Sequence, residues 1–153
     1  MNEIIRIQDQ LRKSFEGDAW HGTALWEILH DVTAAQASAQ PLPNAHSIWE
    51  ITLHISAWQN AVNERINGNP AVDPPGGDWP EITDTSEAAW QQTLADLKTS
   101  YETLLKTLAT FPESRLDEAV ADGFSTHYVT MHGLIQHNLY HGGQIALLKK
   151  ALQ

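Results

Sequence analysis

Apolar residues in this chain recur with a helical period in four segments, and the apolar–polar alternation of a strand is nearly absent. The first segment, from about Asn2 to Glu16, sets Ile4, Ile7, Leu11 and Phe15 on one face. Gly17 and Asp18 interrupt it, and Leu25, Ile28, Leu29 and Val32 resume the pattern after Gly22. Met1 to Val32 is therefore predicted as a helix with an interruption. The second helix follows Pro41 and Pro43 and opens on Ser47-Ile-Trp-Glu50, a capping box in which the serine and glutamate satisfy each other's backbone N–H groups. Its inward stripe is Ile51, Ile55, Trp58, Val62 and Ile66, and Gly68 stops it. Asp84-Thr-Ser-Glu87 reads as a second capping box ahead of Trp90, Leu94, Leu97, Tyr101, Leu104 and Leu108, with an end near Phe111-Pro112. The last helix runs from Thr126 or Tyr128 to Leu152 and carries Leu134, His137, His141, Ile145, Leu148 and Leu152 on one face.

Between the second and third helices lie about eighteen residues rich in proline and glycine, among them Pro70, Pro74, Pro75, Gly76, Gly77 and Pro80. Antiparallel neighbours need only about two to eight connecting residues, whereas this stretch can span roughly 60 Å, twice the length of a twenty-residue helix. The expected fold is all-α, a four-helix bundle with a long crossover between helices two and three, built as one domain over residues 1–153.

Without cysteine, the chain has no disulfide, thiolate ligand or cysteine nucleophile, so any metal must sit on nitrogen and oxygen. Nineteen acidic against nine basic side chains give a net charge of -10, and no Lys/Arg cluster appears. A phosphate backbone needs cations that are scarce here, so no nucleic-acid partner is expected. Charges at Glu3, Arg6, Asp9, Arg12 and Lys13 interrupt the amino-terminal apolar residues, and no apolar run reaches the roughly 20 residues of a membrane span. A cytoplasmic protein without membrane association is expected.

The unusual residue is histidine, of which there are eight. His137 and His141 share a helix face, their β-carbons about 5–6 Å apart. His54, between Ile51 and Trp58, lies on the inward stripe of the second helix. Three inward imidazoles are either separately bonded core residues or ligands of one ion, and each ring has two nitrogens to satisfy. Glu50 stands one turn before His54 and Gln144 three residues after His141, where either can orient a ligating ring, although Glu50 also completes the capping box. His21, in Trp20-His-Gly22, is either a turn residue or a group at the metal's mouth. His132 points to another face, and His30, His46 and His127 have surface or loop settings. Gly142 and Gly143, each costing roughly 1 kcal/mol inside a helix, imply close packing of another backbone or room beside the metal.

Three stretches, Trp20-His-Gly22, Ser47-Ile-Trp-Glu-Ile-Thr-Leu-His54-Ile-Ser-Ala-Trp58 and His137-Asn-Leu-Tyr-His141-Gly-Gly-Gln-Ile145, resemble the DinB-like family, bacterial metal-binding four-helix bundles similar to damage-inducible proteins. The resemblance implies that His54, His137 and His141 hold a divalent ion, zinc or nickel, and that the protein dimerises. It also implies transfer of a low-molecular-weight thiol such as bacillithiol, mycothiol or glutathione to a small electrophile. Two other readings remain: a metal-dependent hydrolase, which lacks the glutamate of an HExxH helix because Asn138 stands in its place, and a non-catalytic metal-binding bundle of a stress response.

Overall fold

The computed structural model describes residues 2–70 and 73–153; Met1, where the first predicted segment begins, lies outside them. The described residues are all-α, with no strand and only two isolated bridges, Ala19 to Gly22 and Ala119 to Thr126. Six helices follow in order: α1 (Glu3–Phe15), α2 (Leu25–Leu29), α3 (Ala34–Ser38), α4 (Ile48–Ile66), α5 (Glu87–Thr110) and α6 (His127–Ala151). None of them is long and apolar enough to cross a membrane.

The caps explain where the long helices start. Ser47 accepts from the Glu50 amide and Glu50 returns a hydrogen-bond acceptor to the Ser47 amide, as the sequence predicts. The second predicted box is replaced by a different arrangement. Ser86, not Asp84, caps α5 by accepting from the Ala89 amide, and Asp84 accepts from the Ser86 amide. Glu87 reaches instead to the Ala34 amide at the start of α3, where it meets an unpaired helical N–H group.

The amino-terminal segment is also more broken than expected. Gly17 and Gly22 have φ of 153° and 121°, and Asp18 has φ of 56°, so the chain turns sharply after α1 and leaves α2 as a separate short helix. Thr33 then caps α3, a helix too short for periodicity to reveal.

Alternating contacts tie the long helices together: α4 packs on α5 and α6, and α1 packs on the same two. Phe15 stacks on Tyr101 with centroids 3.9 Å apart, joining α1 to α5. Trp49 and Trp90 meet at 5.1 Å, joining α4 to α5 beside the start of the helix that carries His54.

Candidate metal centre

Two of the four long helices, α4 and α6, bring His54, His137 and His141 together. One nitrogen from each ring lies within 4.8 Å of the others. His54 and His141 are each 6% exposed and His137 is half-buried. His54 Nε2 and His137 Nε2 are 2.9 Å apart. Two nitrogens bound at about 2.0–2.1 Å to one tetrahedral ion lie roughly 3.3 Å apart, so the spacing suits a shared cation.

The partners of the rings set their tautomers. His54 Nδ1 donates to the Asp78 carbonyl at 2.6 Å, and His141 Nδ1 donates to Gln144 Oε1 at 2.6 Å. Both rings therefore keep the Nε2 lone pair for a ligand. With His54 Nε2 an acceptor, the close approach of His137 needs a proton on His137 Nε2, which leaves the buried and unpartnered His137 Nδ1 as a bare acceptor. A cation shared by the three Nε2 lone pairs accounts for the close approach of His54 and His137 without a proton between them, and three neutral nitrogen donors fit a divalent ion.

Burial pushes the His137 pKa down from 6.5 to about 3, helped by His141 and His54. Burial also lowers that of His141, against the raising effect of Gln144. Both rings are thus neutral at pH 7, as ligands must be. The folded pKa of His137 lies below the unfolded value, so between pH 6.5 and about 3 the unfolded chain binds the extra proton. Stability from this group is full above pH 6.5 and is lost as pH falls toward 3. In metal-free protein the urea midpoint is expected to drop between pH 7 and pH 5, and His137→Asn should flatten that dependence.

Three residues that sequence reasoning did not assign to the site complete it. The Asp78 carboxylate accepts from Trp58 Nε1 at 2.7 Å and lies 3.3 Å from His54 Nδ1. Trp79 is stacked between His46 at 3.6 Å and His54 at 4.0 Å. A cavity of about 470 Å³ opens beside His141, walled by Leu42, His46, Ile51, Trp79, Tyr140 and Leu147, with no carboxylate, lysine or arginine among its lining residues.

The other sequence candidates stand as follows. Gln144 holds His141 directly. Glu50 faces Ser47 and lies 3.6 Å from His46, within its capping box. His21 is exposed in the turn after α1 and lines a different cavity, together with Asn138. His127, expected on the surface or in a loop, is 1% exposed at the start of α6, with its ring 4.9 Å from that of Phe111.

The family model for the DinB superfamily matches residues 19–145, a span that contains all three histidines, the whole of α4 and most of α6. The chain belongs to the DinB superfamily. No curated protein and no solved structure matches it. Within this DinB-superfamily chain, the trio is the group of ring nitrogens able to hold an ion among the described residues.

Proposed function

We propose that His54, His137 and His141 bind one divalent ion, zinc or nickel, and that the protein uses it to transfer a low-molecular-weight thiol to a small apolar electrophile. The frame is read as one domain in which α1, α4, α5 and α6 form a four-helix bundle, with the 67–86 connection crossing it. The observation that carries the reading is the convergence of three imidazoles beside a cavity without acidic or cationic lining. When bound, the ion supplies a Lewis acid that favours the thiolate form of a thiol at neutral pH.

The chain's own residues do the positioning. Asp78 and Gln144 hold the His54 and His141 rings in ligating orientation. Leu42, Ile51, Trp79 and Leu147 offer an apolar wall to the body of the electrophile and keep water from it. In the transfer, sulfur forms a bond to carbon as the bond from that carbon to its leaving group breaks, and the thiol proton leaves to solvent. The nucleophile comes from the cosubstrate because the chain has no cysteine.

Hydrolysis is less well supported because none of the bases that the sequence offers for it stands free beside the trio. Asn138 occupies the position of a zincin glutamate, Glu50 is committed to its cap, and His21 lines the other cavity. The test is incubation of metal-loaded protein with bacillithiol, mycothiol or glutathione and chlorodinitrobenzene. Conjugation that needs the protein and stops on chelation is expected with one of these thiols. No conjugation with any of them, or ester hydrolysis without thiol, would overturn the reading.

A further inference from the structure

A second cavity, of about 420 Å³, runs along a different face of α6 from the histidine trio. At the roughly 100° per residue of an α-helix, Asn138, Gly142 and Lys150 stand about 100°, 140° and 220° around the axis from His137, whereas His141 stands at about 40°. Leu25 and Ile28 of α2 form the facing wall.

Two features of this groove are unexplained by the chain's own packing. Asn138 is 0% exposed, yet both its Oδ1 and Nδ2 lack a hydrogen-bond partner. A buried carboxamide with neither atom paired is costly, so its retention calls for a partner. The second feature is Gly142-Gly143 in the middle of α6, where each glycine disfavours the helix relative to alanine. A Cβ at Gly142 would meet only Leu25 Cδ1, at an ordinary 3.9 Å, and one at Gly143 would meet nothing within 4 Å. The expectation that these glycines admit a close backbone or make room beside the metal is therefore not met. They leave open space in the groove that Asn138 lines.

The chemistry of the lining limits what fits. A carboxamide presents an acceptor beside donors and pairs with a group that offers the same two in reverse, which a peptide amide does. Lys149 is committed to the Ile28 carbonyl and to Asp31, whereas Lys150 has no acidic partner among the described residues. The Lys150 Cα lies about 18 Å along the axis from that of Asn138, and its side chain leans back toward the helix start. A tripeptide of about 10 Å can bridge much of that gap, with an amide at Asn138 and its carboxylate at Lys150.

We propose that this groove is a second binding site, separate from the histidine trio, for a short peptide with a free carboxylate. The test uses the full, metal-loaded chain, with triglycine as the probe and hexanoate as a shorter carboxylate lacking the amides. Amide resonances of Gly142 and Gly143 should shift saturably with triglycine. Asn138→Leu should weaken binding at least tenfold and Lys150→Ala about threefold. Gly143→Leu should abolish binding while leaving the melting temperature unchanged or higher, so the proposal does not depend on the fold tolerating Asn138→Leu. Absence of saturable shifts, equal affinity for hexanoate, or unchanged binding by Gly143→Leu would overturn it. So would a dimer in sedimentation that Gly143→Leu splits into monomers, which would assign the open space to a second copy of the chain.

Discussion

His141→Ala is expected to weaken metal binding by about a hundredfold or more, while helical content by circular dichroism stays at the wild-type level. His54 and His137 would remain as a two-nitrogen site, and Gln144 would lose the ring it holds at 2.6 Å. Alanine is the best helix former, so the loss of metal should not be confused with loss of α6. Gln144→Ala should have a smaller effect, about tenfold, because the ligand survives and only its orientation is released. Competition against a chelating dye measures both affinities on one scale. Equal affinity of His141→Ala and wild type would remove His141 from the ligand set.

Trp90→Ala is expected to cost about 3–5 kcal/mol, read from the urea midpoint at constant slope. The side chain is 0% exposed, packs 5.1 Å from Trp49 and donates from Nε1 to the Val32 carbonyl at 2.6 Å. Truncation opens a cavity and leaves that carbonyl without its donor. Against the roughly 5–15 kcal/mol of a typical domain, this is a large share of the total. The consequence reaches the site because Trp49 lies on α4 between the Ser47 cap and His54. Trp90→Phe should keep most of the packing and lose about 1–2 kcal/mol, mainly the hydrogen bond.

The parts of this structure that were legible in the sequence are those written in local pattern. Ser47 and Glu50 announce α4 because a capping box is a contact between near neighbours, and Phe111-Pro112 ends α5 because proline cannot continue a helix. The trio was legible because four-residue spacing puts His137 and His141 on one face, and His54 falls on the stripe of Ile51 and Ile55. Glu87 misled because the partner that takes its carboxylate, Ala34, is 53 residues away. Asp78, Trp79 and His46 were missed for a related reason. They lie outside the helices, where periodicity says nothing, and only the fold brings Trp79 between His46 and His54. A single tryptophan in a proline- and glycine-rich connection was the one signal available. His21 could not be located from sequence because the turn after α1 depends on Gly17, Asp18 and Gly22 acting together.

The most direct measurement is metal content together with X-ray absorption on protein purified without a histidine tag and loaded with zinc or nickel. One ion per chain is expected, with three imidazole nitrogens at about 2.0–2.1 Å if the ion is zinc. Failure to retain an ion after loading, or the same content in a chain lacking His54, His137 and His141 together, would contradict the three-histidine centre.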